Sequence, residues 1–244
     1  MRFDFSAFLY RRLSKIITCT FNFSENRKIK LSDKHHIAGF QDVFVNAFYW
    51  DTLMRLNSAP GNVLDLGANL GYFSLLVEEF RRYKAFIPSN YVLVEANPHL
   101  IKRLEENLIL FGIKEYKIVQ AVAGPLLPSV KFYLSKRHVL SSSVSKQKGN
   151  VEIEIRTLQI GEIEKVCDGL IKIDIEGAEY ELVHNFAPYL TRAKCILFEL
   201  HGNKDQNDQL INVFLDLEYK ICVSKIDTQS GFHLISFQKK EKDL

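Results

Sequence analysis

Short apolar runs alternate with stretches of helical periodicity along most of this chain. Val63-Leu64-Asp65-Leu66 has the length and composition of a buried strand. Residues 72–80 put Phe73, Leu76, Val77 and Phe80 on one helical face, and Tyr91-Val92-Leu93-Val94 reads as a second strand that stops at Glu95. Asn97 then serves as an N-cap with Pro98 in the first turn of a helix that places Leu104, Leu108 and Phe111 on one side and stops at Gly112. A third strand follows at residues 117–122, with Gln120 and Ala121 near its tip. Residues 170–173 form a fourth strand, followed by a helix through Val183 that ends near Pro188. Residues 195–201 form a fifth, and residues 205–217 a further helix. Two last runs, 219–224 and 232–237, flank Ser230-Gly231 as an antiparallel hairpin.

Strands that alternate with helices in this way build a parallel sheet covered on both faces. The expected fold is therefore α/β: a doubly wound, mostly parallel seven-stranded sheet, Rossmann-like, with the last strand antiparallel. Residues 130–134 and 151–157 alternate apolar and polar positions and pair as an antiparallel insertion. The polar, serine-rich stretch 135–150 between them reads as a mobile loop at the mouth of a site. Residues 40–56 are rich in aromatics and have the spacing of one helix packed on the core. They belong to a helical N-terminal extension, residues 1–58, ahead of a main domain at residues 59–244.

Composition narrows the function classes. The chain has 244 residues, 47% hydrophobic and 25% charged, an ordinary globular balance. A net charge of +3 is too small to argue for nucleic acid. The basic clusters Arg11, Arg12, Lys15 and Arg27, Lys28, Lys30 read as solvated faces. No apolar run is long enough to span a membrane, and the start of the chain is a poor signal peptide. Cys19, Cys167, Cys195 and Cys222 lie far apart and read as reduced thiols of a cytoplasmic protein.

The chemistry gathers at two stretches. In the first, residues 62–95, Gly67-Ala68-Asn69-Leu70-Gly71 makes a tight turn after the first strand. Gly67 and Gly71 permit a sharp bend and close approach of a ligand, and Glu95 at the tip of the second strand can accept both hydroxyls of a ribose. A dinucleotide fingerprint would carry glycines where Asn69 and Tyr72 stand. Asp65 just before the turn would repel a pyrophosphate, whereas S-adenosylmethionine carries an ammonium and a sulfonium that suit carboxylates. In the second stretch Asp174, Glu176 and Glu179 crowd the end of a buried strand, where open α/β sheets bind ligands. Asp174 or Glu176 can cap the next helix. Glu199 and His201 share a face of the fifth strand and open onto the cleft of Asp174.

The runs D-L-G-A-N-L-G-Y-F-S-L, V-E-A-N-P, A-V-A-G, S-S-S-V, K-I-D-I-E-G-A-E and L-F-E-L-H together resemble the FkbM-type methyltransferases, a class I family dependent on S-adenosylmethionine. The resemblance covers about residues 62–201. It implies methyl transfer to a hydroxyl of a sugar, glycan or other small molecule. It implies cofactor binding by Asp65, Gly67, Asn69, Gly71, Glu95 and Ala121, with adenine resting near Gln120 and Ala121. Asp174 and His201 are the candidates for base or acceptor-side chemistry, oriented by Glu176 and Glu199. Where the family often shows T-L-D-D, this chain has Thr157-Leu158-Gln159-Ile160, so no clear ligand set for a divalent metal is expected. Small-molecule N-methylation and a non-catalytic binding role are the alternatives; the carboxylates at 174, 176 and 199 count against the second.

Overall fold

The computed structural model describes residues 19–24, 26–31, 34–135, 150–227 and 232–240. The cluster Arg11, Arg12, Lys15, nearly all of the 135–150 loop and the Ser230-Gly231 turn lie outside the described residues. The elements in order are strands β1 (Cys19–Ser24) and β2 (Arg27–Leu31), helix α1 (Lys34–Phe40), a π-helical turn (Gln41–Val45) and α2 (Trp50–Met54). Then come β3 (Asn62–Leu66), α3 (Tyr72–Tyr83), β4 (Asn90–Glu95), α4 (Pro98–Phe111), β5 (Tyr116–Gln120), β6 (Ser129–Leu134) and β7 (Val151–Arg156). Last are α5 (Ile160–Ile163), β8 (Leu170–Ile173), α6 (Glu179–Leu190), β9 (Cys195–Leu200), α7 (Lys204–Asp216), β10 (Tyr219–Asp227) and β11 (Phe232–Lys239).

Seven strands form one sheet in the order β10-β11-β9-β8-β3-β4-β5. β11 runs antiparallel to both its neighbours, and the others are parallel to one another. The chain winds outward from β3 in one direction and from β8 in the other, so the strand order reverses between them. A crevice for ligands opens at the C-terminal ends of strands at such a point. β6 and β7 pair antiparallel as expected.

Strand alternation divides the interior into two cores. Val63, Tyr91, Leu93 and Leu197 face α3, α4 and the N-terminal segment, whereas Leu64, Val92, Ile171 and Phe198 face α6 and α7. Asp65 falls on the first face, which turns it under α3. Asn97 caps α4 by accepting from the His99 N–H at 3.0 Å. α6 runs to Leu190 with Pro188 inside its last turn, where the ring forgoes one N–H bond to the carbonyl four residues back. Cys167, Cys195 and Cys222 are free thiols, and among the described residues no helix is long and apolar enough to cross a membrane.

The N-terminal segment contains helix, and also the β1–β2 hairpin, which the sequence pattern did not signal. The single helix expected over residues 40–56 is instead broken into the π-helical turn and α2, with Ala47 at φ 54° between them. One straight helix would spread its aromatics around the axis. The break lets Tyr49 pack edge-on against Phe73 (centroids 5.1 Å) and Trp50 against Phe80 (5.8 Å).

Candidate active site

The turn after β3 is shaped by its neighbours. Gly67 has φ 75°, and a Cβ placed there would lie 1.7 Å from the Asp174 carbonyl oxygen. A Cβ on Gly71 would lie 2.7 Å from Leu104 of α4, and Gly71 does not line the cavity beside the turn. The sequence reading assigned both glycines to ligand approach. Gly71 instead lets α3 start against α4, whereas Gly67 lines the cavity and in addition lets the β3 and β8 tips touch. Gly67→Val is therefore expected to report on the fold: a thermal melt should show a large loss of stability or no folded protein. A variant that melts like the parent would refute the contact.

Asp65 is another correction. It is fully buried, accepts from Ser74 Oγ at 2.8 Å and lies 3.5 Å from Lys172 Nζ. It does not line the cavity, so its charge answers Lys172 rather than a ligand. Lys172 also reaches Asp174 Oδ2 at 3.1 Å and donates to the Gly67 carbonyl at 2.8 Å. A lysine in the middle of a buried strand has to find such partners. That requirement was visible in the sequence; its partners were not.

Beside the turn lies a cavity of about 70 Å³ lined by Gly67, Asn69, Glu95, Ala121, Asp174 and Glu176, with Val94, Leu100 and Phe132 as apolar wall. Glu95 anchors this cavity. Its Oε2 accepts from the Asn69 N–H and its Oε1 from the Asn97 N–H, both at 2.7 Å. Burial pushes its pKa up, and the two backbone donors oppose that. A carboxylate can accept about four hydrogen bonds, so capacity remains on the cavity side.

A second cavity, about 220 Å³, shares Asn69, Asp174 and Glu176 with the first. The sheet supplies Lys172 and Glu199, and the N-terminal segment supplies Asp42, Phe48 and Tyr49. The Tyr49 hydroxyl donates to Glu199 Oε1. Burial and the neighbouring charge of Asp174 push the Glu199 carboxyl up to about 8. The spacing of residues 40–56 predicts only packing for Tyr49, whose partner lies 150 residues away in the chain.

His201 lines neither cavity but lies behind Asp174 and Glu176, the two carboxylates they share. Its Nε2 is 3.9 Å from Asp174 and 3.8 Å from Glu176, and its Nδ1 is 3.0 Å from Glu179 Oε1. The same Glu179 oxygen accepts from the Ile175 and Gly177 N–H groups, so Glu179, not Asp174 or Glu176, ties down the turn before α6. Burial alone would lower the His201 pKa. The Glu179 hydrogen bond and the charges of Asp174, Glu179 and Glu176 outweigh it and raise the group to about 9. That direction favours the imidazolium, whereas the sequence pattern offered His201 as a candidate base. Burial and Asp174 instead push Glu176 up to about 7. Glu176 also holds a left-handed backbone, φ 54°, a conformation costly for a non-glycine residue and concentrated at functional sites.

Asp174, Glu176 and His201 each offer one ligand atom, all within 4.8 Å of one another, so a divalent ion is within reach of a set the sequence did not signal. The proton on His201 opposes such an ion.

Residues 65–221 match the family model described as the methyltransferase FkbM domain. No curated protein matches the chain. Among solved structures, the methyltransferase FkbM from Methylobacillus flagellatus KT is similar at 15% identity and TM-score 0.51, over 76% of this chain and 45% of that one. This chain thus spans less than half that protein's length. A ribosomal protein L11 methylase from Lactobacillus delbrueckii subsp. bulgaricus aligns at 10% identity and TM-score 0.49, over 91% of this chain and 98% of that one. A precorrin-6y C5,15-methyltransferase from Geobacter metallireducens GS-15 aligns at 15% identity and TM-score 0.46, over 80% and 87%. With the family model spanning most of the seven-stranded domain, this chain belongs to the FkbM methyltransferase family.

Proposed function

We propose that the protein transfers a methyl group from S-adenosylmethionine to a hydroxyl of a sugar, glycan or similar small molecule. The observation that carries this reading is that the two cavities meet at Asp174 and Glu176. The first cavity has carboxylates and no basic side chain among its lining residues. That suits a cofactor bearing a sulfonium and an ammonium and disfavours a pyrophosphate. Gly67, Asn69, Glu95 and Ala121 would hold it: Glu95 accepts from a ribose diol, and Val94, Ala121 and Phe132 flank the base.

The cofactor supplies an electrophilic methyl group. The protein aligns the acceptor and takes its proton. Glu176 is the base in this reading, since a group titrating near neutrality both accepts a proton and is ionised often enough to do so. Asp174, held by Lys172, and the His201 imidazolium position it. Residues 59–244 then form the catalytic domain, and Asp42, Phe48 and Tyr49 of the extension wall the acceptor side.

Calorimetry with S-adenosylhomocysteine and with NAD tests the cofactor. The first should bind in the micromolar range and the second not at all. Transfer of labelled methyl to a panel of glycans and small polyols tests the acceptor class. Binding of NAD alone would overturn the reading.

A further inference from the structure

We infer that Tyr49 is a positioning residue for the acceptor: its hydroxyl holds Glu199 so that one carboxyl oxygen is left to bond an acceptor hydroxyl in the second cavity. This rests on the reading of that cavity as the acceptor side. The Tyr49 hydroxyl donates to Glu199 Oε1. Both residues line the cavity, which Asp174 and Glu176 also line. A carboxyl group has two oxygens, and a hydrogen bond to one of them restricts rotation of the whole group. With Oε1 engaged by Tyr49, Oε2 is the oxygen presented to a ligand.

Other contacts already hold the segment that carries Tyr49. Lys225 of β10 donates to the Phe48 carbonyl at 3.2 Å and pairs with Asp51 at 2.7 Å. Thr52 Oγ1 donates to Ser236 Oγ of β11 at 3.1 Å, and both residues are buried. The Tyr49 ring packs on Phe73, and Trp50 packs on Phe80. These ties fix residues 48–52 against β10, β11 and α3 without the Tyr49 oxygen. A buried hydroxyl needs a partner, and the rigid surroundings aim this one at a carboxyl of the cavity wall. Tyr49 also precedes residues 65–221, the part that matches the family model. Gly67, Asn69, Glu95 and Ala121, on the cofactor side, fall within that part. A residue outside it can set the acceptor of this chain and leave the cofactor site as it is.

The test uses the full chain and initial rates of labelled methyl transfer, with the probe the fastest-methylated member of the panel of glycans and small polyols. Tyr49→Phe keeps the ring and removes only the hydroxyl. It should raise the KM of that probe about tenfold, the effect of one lost hydrogen bond, and lower kcat by less. Affinity for S-adenosylhomocysteine should not follow the rise. Adding Tyr49→Phe to Glu199→Ala should cost nothing further, because Tyr49 acts through the carboxyl. Thr52→Val cuts the tie to Ser236 and should lower the melting temperature without the rise in KM. A parental KM in Tyr49→Phe, additive effects in the double variant, or an equal rise in Thr52→Val overturns the inference and leaves the proposed function standing. So does a Tyr49→Phe chain that fails to fold, since the hydroxyl would then be structural. If the parent protein methylates no member of the panel, the acceptor reading falls, and this inference with it.

Discussion

Glu176→Gln should lower turnover by about 10²–10⁴-fold, the usual contribution of a general base, while S-adenosylhomocysteine affinity stays within about twofold. The side chain is half-buried at the junction of the two cavities, and its amide isostere keeps the shape but cannot take a proton. The pH profile carries the same argument. Glu176 must be ionised to act, so activity rises with pH through about 7. His201 must stay protonated to pair with Asp174 and Glu176, so activity falls as pH passes about 9. The bell between these values should lose its acid limb in Glu176→Gln and its alkaline limb in His201→Ala. Asp174→Asn should also lose most turnover while keeping the fold, because Lys172 retains Asp65 and the Gly67 carbonyl. Near-parental turnover in Glu176→Gln with an unchanged acid limb would move the base elsewhere.

The second large effect belongs to Glu95. Glu95→Ala is expected to weaken S-adenosylhomocysteine by about 1–3 kcal/mol through the loss of hydrogen bonds to a charged group. It also strands the Asn69 and Asn97 N–H groups that the carboxylate now receives. The turn after β3 should therefore loosen, and the melting temperature should fall alongside affinity. Glu95→Gln separates the two effects, since its carbonyl keeps one backbone donor while the charge is gone. Unchanged affinity in a folded Glu95→Ala protein would show that the first cavity does not hold the ribose.

The order of strands and helices, the mostly parallel seven-stranded sheet and the insertion were legible along the chain because each depends on local periodicity: two for strands, 3.6 for helices. The placement of Glu95, Asp174 and Glu176 at strand tips was legible for a related reason. Strand tips are set by where an apolar run stops, and in a doubly wound sheet ligands gather at those tips.

What the sequence could not determine was which way each group at the tips turns, and what it meets. Asp65 and Glu95 both follow buried strand residues. Alternation and Ser74 bury the first under α3, whereas the Asn69 and Asn97 N–H groups hold the second at the cavity. Nor could one sequence show that His201 would share three carboxylates that push its pKa up, because Asp174, Glu176 and Glu179 come from another strand end. Tyr49 reaches Glu199 only because the chain breaks its helix near Ala47. Local patterning therefore determined the scaffold and the line of strand tips where chemistry can occur. The tertiary structure alone decided the charge and partner of each group there, because pKa values and hydrogen bonds depend on distances across the fold rather than along the chain.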